Sequence, residues 1–233
     1  MQAEGKVVEL VLVDGLSAAR IVCLPRLIPP PGTYLLAYSP GSDSPLATTI
    51  FRAGFFGDPH SMGEDGFLIA PPVPESWTPG TRLYLRGPLG HGFAMPATAR
   101  RIALAAYDSS PRRLLALLKT AFKQEAEVTL VCESQPDDLP LQVEVQPLRA
   151  LAEVCGWADY LAVDTARESI PALKQILGKV SPLKIPNQAE ILVRTPMPCG
   201  ALAECGVCSV ELRSGIQLAC EDGPVFDLKS FIG

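Results

Sequence analysis

Short apolar runs separated by proline and glycine characterise the first 97 residues of the chain. Three such runs lie at 7–13, 32–38 and 81–85, and each is bounded by turn-forming residues. Because turn residues at this spacing leave room only for short strands that fold back on one another, the pattern predicts antiparallel pairing. We therefore expect residues 1–97 to form an antiparallel β-barrel.

From residue 98 onward, strands alternate with helices. Four apolar runs are typical of buried strands, and they lie at 101–107, 127–131, 141–145 and 159–163. Three segments have helical spacing of their apolar residues, at 110–122, 148–154 and 169–177. Ser110 is the expected cap of the first helix, with Pro111 at its first position. The alternation predicts an open, mostly parallel sheet over 98–184.

The last segment, residues 185–233, contains a strand at 190–194 and then a hairpin. The hairpin arms lie at 208–212 and 216–220. Because the hairpin folds the chain back on itself, Cys220 is expected beside Cys208. The expected fold class is therefore a multi-domain α+β protein with a barrel, a parallel-sheet α/β domain and a small C-terminal subdomain.

Four of the seven cysteines lie in this last segment, and they are Cys199, Cys205, Cys208 and Cys220. A [2Fe-2S] cluster takes four thiolates, two on each iron. Small residues separate the cysteines and let backbone amides approach the sulfurs; they are Gly200, Ala201, Ala203 and Gly206. The spacing predicts that these four cysteines hold a [2Fe-2S] cluster.

A structural zinc ion is the alternative for the same four cysteines. Cys205 and Cys208 form a close pair of the kind that tetrahedral zinc sites use. Zinc modules usually contain two such pairs, and this chain has one. The spacing therefore favours the iron-sulfur cluster, and a scaffold protein with a structural zinc site of four cysteines is a further alternative.

Composition narrows the class of protein. The chain is 48% hydrophobic and carries a formal net charge of -5, so we expect a sizeable core and no basic surface for nucleic acid. Cys23, Cys132 and Cys155 lie far apart and are expected to be structural. The odd number of cysteines, the absence of a leader and the absence of an apolar run of about 18 residues predict a cytoplasmic protein that does not enter membranes.

Two motifs resemble the electron-transfer subunit of dihydroorotate dehydrogenase type B, within the ferredoxin reductase-like flavoproteins. One is the run 79–93, and the other extends from 198 to 226. The resemblance implies a flavin-domain-like barrel over 1–97, a nucleotide-domain-like unit over 98–184 and a [2Fe-2S] subdomain over 185–233. It also implies a relay of pyrimidine biosynthesis: a nicotinamide nucleotide reduces FAD, FAD reduces the cluster, and the cluster reduces a flavin in a partner catalytic subunit.

The chain departs from that family at the flavin signature. The family's arginine-containing segment would fall at 46–51, which holds no arginine, and five residues instead of four separate Cys199 from Cys205. Arg52 is the nearest cation, and a solvated surface position is the alternative for it. The FAD signature is thus degraded, and the candidate FAD contacts are Arg52, Gly87, Pro88, Leu89 and Gly90.

The nucleotide-binding turn departs further from the family. A dinucleotide pyrophosphate is normally held by a glycine-rich turn, because only glycine lets the backbone come that close. No glycine occurs from Phe93 to Cys155, and the turn at 106–111 carries Asp108, which would repel a phosphate. We therefore expect no NAD(P) binding in the family's manner. Trp157 would either fill the nicotinamide space or pack at the edge of the sheet.

The sequence thus predicts an electron-transfer subunit of an oxidoreductase hetero-oligomer and not a complete catalyst. Its partner would be a dihydroorotate dehydrogenase-like flavoprotein subunit or another redox protein. A complete flavin reductase with FAD and NAD(P)H is the alternative. A third hypothesis is an assembly subunit that keeps the reductase fold as a scaffold. Flavin in the purified protein distinguishes a full relay from a subunit with a single cluster.

Overall fold

The computed structural model describes residues 1–40, 46–55, 65–178 and 185–232. Within these ranges the chain forms two six-stranded sheets and one two-stranded hairpin sheet. None of the helices described is long and apolar enough to cross a bilayer.

The first sheet is antiparallel. Its strands are β1 (Gln2–Val13), β2 (Leu16–Cys23), β3 (Tyr34–Tyr38), β4 (Thr48–Phe51), β5 (Gly66–Ile69) and β6 (Arg82–Leu89). They pair in the order β4-β3-β6-β1-β2-β5. An antiparallel bridge between Arg52 and Ile69 joins the two edge strands. The sheet therefore closes on itself, and the antiparallel barrel predicted from the turn spacing is confirmed.

The second sheet is mostly parallel and has helices on both faces. Its strands are β7 (Arg101–Ala106), β8 (Glu127–Val131), β9 (Val143–Gln146), β10 (Tyr160–Ala166), β11 (Gln188–Arg194) and β14 (Val225–Asp227). The helices are α1 (Arg112–Leu115), α2 (Leu118–Lys123), α3 (Leu151–Trp157) and α4 (Ile170–Leu177). The strand order is β14-β11-β10-β7-β8-β9, and β14 is antiparallel.

Alternation along β7 explains why both faces of this sheet are covered. Ile102 and Leu104 pack with α1 and α2, whereas Ala103 and Ala105 pack with α3 and α4. Successive side chains of a strand point to opposite faces, so a strand buried on both sides reads as one apolar run. The predicted parallel sheet is therefore confirmed.

The predicted helix at 110–122 is divided into α1 and α2, and it begins later than expected. Pro111 is the residue before α1, and Arg112 is the first helical residue. The Ser110 hydroxyl donates a hydrogen bond of 2.5 Å to Asp14 in the turn between β1 and β2. Ser110 therefore connects the helix to the barrel more strongly than it caps the helix.

The strand predicted at 190–194 belongs to the second sheet. In β11, Leu192 pairs with Asp164 of β10 in parallel register, and β14 adds to its other side. The domain boundary expected at residue 185 would therefore cut through this sheet. Only the hairpin of β12 (Ser209–Leu212) and β13 (Gly215–Leu218) forms a separate small sheet within the described ranges.

Gly54 lies where the barrel meets α1. Its amide donates a 2.7 Å hydrogen bond to the Arg112 carbonyl. A Cβ at Gly54 would come within 2.0 Å of the Leu115 carbonyl carbon, so only glycine fits this contact. The barrel and the α/β unit therefore share one closely packed junction.

We expect Gly54→Ala to lower the free energy of unfolding by about 3 kcal/mol, because the added methyl group has to displace backbone. Gly15→Ala is the matched control: a Cβ there meets nothing within 4 Å. That control should cost only about 1 kcal/mol, because Gly15 has a positive φ. Urea denaturation measures both effects. Equal losses in the two variants would contradict the tight junction.

Candidate functional site

The four C-terminal cysteines lie on a loop that the barrel holds in place. We call residues 199–208 the cysteine loop. The hydroxyl of buried Tyr34 in β3 donates to the Cys220 carbonyl at 3.1 Å. Arg86 of β6 donates to the Gly200 carbonyl at 2.8 Å. Two neighbouring barrel strands therefore anchor the beginning and the end of the cysteine-bearing segment.

The four thiols lie close enough to affect one another's charge. Electrostatic interactions link Cys199 with Cys205, and Cys220 with both Cys208 and Cys199. The hairpin brings Cys220 beside Cys208, since the amide of Ala219 donates to the Cys208 carbonyl at 3.0 Å. Cys205 is exposed and Cys199 is partly buried, whereas Cys208 and Cys220 are buried.

Backbone amides of the cysteine loop act to lower the pKa values of two of the four thiols. The amide of Leu202, with those of Cys205 and Glu204, lowers the pKa of Cys199 to about 7. Burial raises the pKa of Cys220 to about 12, although the amide of Ala203 opposes this shift. Amide hydrogen bonds stabilise a thiolate. The loop is therefore built to support negative charge at its exposed end.

Unusual backbone angles produce this arrangement. Four small residues of the loop have φ between 58° and 67°, and they are Gly200, Ala201, Ala203 and Gly206. For alanine, this left-handed region costs about 1–2 kcal/mol per residue. Strain of this kind persists where the surrounding structure fixes it, most often at functional sites.

The four cysteines do not surround one point. Within the described ranges, no group of three or more His, Cys, Asp or Glu side chains converges as a site for a single metal ion. A tetrahedral zinc ion and a [2Fe-2S] cluster both need four sulfurs brought together, so this result favours neither occupant over the other.

The turn at Gly87, Pro88, Leu89 and Gly90 packs against the C-terminal segment of the same chain. A Cβ at Gly90 would come within 2.5 Å of the Gly223 carbonyl oxygen. The next residue, His91, forms a bridge with Pro224. The two resembling motifs are thus in direct contact with each other. Their role as flavin contacts stays a prediction.

A cleft of about 310 Å³ lies between the barrel and the second sheet. The barrel contributes Thr49 and Phe51, and the α/β unit contributes Arg113, Arg194 and Thr195. Arg113 Nε and Thr195 Oγ1 are buried without a hydrogen-bond partner among the described residues. Two unsatisfied polar groups beside an aromatic ring suit a planar ligand with hydrogen-bond acceptors.

Two arginines and two aspartates form an ion cluster at the floor of this cleft. We call Asp108, Asp164, Arg113 and Arg194 the switch-point cluster. Asp164 is fully buried and accepts from Arg194 Nε at 2.8 Å and from Arg113 at 3.2 Å. Asp108 pairs with Arg194 and accepts from the Ala166 amide at 3.1 Å. Burial lowers the pKa of the Arg113 guanidinium, and the negative charge of Asp164 partly offsets this shift.

Arg52, the cation expected near a flavin, is half-buried, and burial lowers the pKa of its guanidinium. It lies just beyond the end of β4, and its role as a flavin contact stays a prediction. The arginines that line the cleft are Arg113 and Arg194. No sequence pattern pointed to them, because one lies in a helix and the other ends a buried strand.

Trp157 lies at the wrong end of the sheet to fill a nicotinamide space. It ends α3, just before β10 begins at Tyr160, whereas the cleft lies at the opposite end of β10 near Ala166. Trp157 packs against the core at the sheet edge, as the plainer alternative predicted. Cys23, Cys132 and Cys155 are all buried, as expected of structural cysteines.

Comparison with known proteins identifies the fold. No family model and no curated protein matches the sequence. Among solved structures, an NADH-dependent reduced ferredoxin-NADP oxidoreductase studied for flavin-based electron bifurcation is 14% identical, with a TM-score of 0.73 over 98% of this chain and 89% of that chain.

Two further structures are similar. The ferredoxin reductase in carbazole 1,9a-dioxygenase is 16% identical, with a TM-score of 0.57 over 81% of this chain and 68% of that chain. The FAD/NAD-binding domain of nitric oxide dioxygenase from Vibrio cholerae is 16% identical, with a TM-score of 0.53 over 82% of this chain and 98% of that chain. The barrel and the doubly covered parallel sheet therefore have the ferredoxin reductase-like fold.

Proposed function

We propose that this protein is an electron-transfer subunit whose cysteine loop, with Cys220, holds a [2Fe-2S] cluster. The observation that carries the proposal is that the cysteine loop and the hairpin are anchored together on the barrel, with the Ala219 amide bonded to the Cys208 carbonyl at 3.0 Å so that Cys220 lies beside Cys208. A [2Fe-2S] cluster takes four thiolates, two on each iron. The loop amides that lower the pKa of Cys199 support the same assignment.

Such a cluster supplies one-electron transfer when bound. The residues of this chain would set its properties. Amides of the loop lower the pKa of Cys199 and so favour its thiolate, while burial of Cys208 and Cys220 keeps water from those two sulfurs. The Arg86 and Tyr34 anchors fix the loop on the rigid barrel. The exposed Cys205 marks the edge that faces a partner.

A structural zinc ion is the competing occupant. Tetrahedral zinc requires all four sulfurs within about 2.3 Å of one point. Within the described ranges no three such ligands are gathered for a metal ion, so either occupant requires movement of the strained loop. The presence of only one close pair, Cys205 and Cys208, in the sequence is what favours the binuclear cluster.

The proposed partner is a redox protein, with a dihydroorotate dehydrogenase-like flavoprotein subunit as the family resemblance implies. The surface around Cys205 suits protein contact, since Leu202 and Val207 expose 57% and 41% of their area. Exposed apolar residues around a charged site are typical of interaction surfaces. The proposed assembly is a hetero-oligomer.

A flavin reductase-type protein is the second candidate, and the cleft and the reductases of similar fold support it more directly than they support a cluster. A volume of about 310 Å³ is at the lower end of ligand pockets and suits a flavin ring system. Arg113 Nε and Thr195 Oγ1 would donate to its polar edge, and Phe51 would contact its ring. The residues present thus fit the flavin ring, although the phosphate-binding arginine of the family signature is absent.

Metal and flavin analysis of anaerobically purified protein tests both candidates. We expect about two irons and two acid-labile sulfides per chain, a red-brown colour and an EPR signal after reduction. Stoichiometric flavin, released by heat and identified by fluorescence, would establish the second candidate beside the first. Protein that contains zinc and no iron would overturn the cluster proposal.

A further inference from the structure

The strand order of the second sheet locates the crevice where a dinucleotide would bind. The chain runs from β7 to β8 and β9 on one side, and then to β10 and β11 on the other. In open α/β sheets, ligands bind beyond the carboxyl ends of the strands where the order reverses. For this chain that place lies between the ends of β7 and β10, where Asp108 and Asp164 stand.

The switch-point cluster fills this crevice. Asp164 is fully buried between the two arginines. Asp108 lies in the turn itself and accepts hydrogen bonds from Thr165 and Ala166, which end β10. These bonds tie the carboxyl ends of β7 and β10 together at the position where a pyrophosphate would enter.

The barrel closes the other side of the same turn. Arg112, at the start of α1, forms ion pairs of 2.7 Å with Asp14 and 2.6 Å with Asp138. The Arg112 side chain is only 3% exposed. Asp14 also accepts a hydrogen bond from Ser110. Carboxylates of the protein therefore already bind the polar side chains beside the β7–α1 turn.

We infer that the dinucleotide crevice of this fold is closed by the protein's own ion pairs, with Asp108 as the residue that closes it. The two arginines and two aspartates of the switch-point cluster cancel in charge, so no net positive charge remains to attract a pyrophosphate. Glu168, which also lines the cleft, forms an ion pair with Arg167, so these two residues add no net positive charge. Asp108 is itself paired with Arg194, so it does not act as a free negative charge that repels the nucleotide. It excludes the nucleotide because it occupies the turn and neutralises the charge of Arg194.

One consequence concerns electron entry, and it rests on the proposed function. If nicotinamide nucleotides cannot reach the crevice, the cluster must receive its electrons from another protein. The protein would then need a redox partner on each side.

Asp108→Gly is the informative variant. Asp108 has a φ of 65°, which glycine adopts without strain. The change leaves Arg194 bonded to Asp164, frees the other side of its guanidinium, and gives the cluster a net charge of +1. Asp137→Gly is the matched control, because it removes one carboxylate from an exposed position away from the cluster.

Thermal unfolding with and without about 5 mM NADH is the test, and inorganic pyrophosphate is the second probe. We expect NADH to leave the Tm of the wild-type protein and of Asp137→Gly unchanged. For Asp108→Gly we expect a rise in Tm of about 2–4 °C, which corresponds to a Kd for NADH of about 1 mM. A comparable rise for the wild type, which does not depend on any variant folding, would overturn the inference. So would folded Asp108→Gly protein, verified by circular dichroism, without a shift.

The two proposals fail separately. NADH binding by the wild-type protein refutes the closed crevice whether or not iron is present. Absence of iron refutes the cluster whether or not NADH binds.

Discussion

Replacement of Cys205 by serine is expected to abolish or strongly shift the EPR signal of the reduced protein and to lower its iron content from about two per chain towards zero. Cys205 is the exposed one of the four proposed ligands. A hydroxyl is a poorer ligand for iron than a thiolate, and Cys199 cannot hold an iron alone. The barrel should remain folded, because the loop lies outside its core.

Cys155→Ala is the matched control for this experiment. Cys155 is buried in α3 against the second sheet, and it is not one of the four proposed ligands. Its replacement should leave iron content and the EPR signal unchanged. Far-UV circular dichroism of both variants tests for loss of fold. An unaltered spectrum in Cys205→Ser would remove Cys205 from the proposed ligand set.

Asp164→Asn is expected to lower the free energy of unfolding by about 3–5 kcal/mol, because it leaves a buried arginine without a counter-charge. Asp164 is fully buried, and the side chain of Arg113 is 8% exposed. Asparagine keeps the shape and one acceptor oxygen, so the change isolates the charge. Urea denaturation followed by circular dichroism measures the loss.

Glu168→Gln is the control, since it breaks an ion pair of 3.2 Å in which the two side chains are 32% and 66% exposed. Exposed ion pairs contribute about 0–1 kcal/mol. The two substitutions remove the same charge and differ in burial. Similar losses of unfolding free energy in the two variants would show that the buried ion pairs of the switch-point cluster do not stabilise the sheet.

Much of the fold could be predicted because residues close together in sequence determine it. The run at 101–107 is apolar at every position except its ends, so it had to be a strand buried on both faces. The barrel followed from closely spaced turns. Helix 110–122 was less well predicted: Ser110 bonds to Asp14, which lies 96 positions away, and no local pattern records that contact.

The candidate site divides in the same way. The four cysteines and the small residues between them are close together in sequence, so their spacing alone pointed to a metal-cluster loop. Arg52 is the nearest cation in sequence to the degraded flavin signature, whereas the arginines that line the cleft, Arg113 and Arg194, come from the distant α/β unit.

By itself, therefore, the sequence determined the two kinds of sheet, the hairpin that places Cys220 near Cys208, and the absence of a glycine-rich nucleotide turn. Only the tertiary structure decided which barrel residues anchor the cysteine loop, and that Asp108 meets Arg194 across 86 positions. The physical reason is that periodicity and turn chemistry act over a few residues. Which charged side chains share a buried crevice depends instead on how distant strands pack.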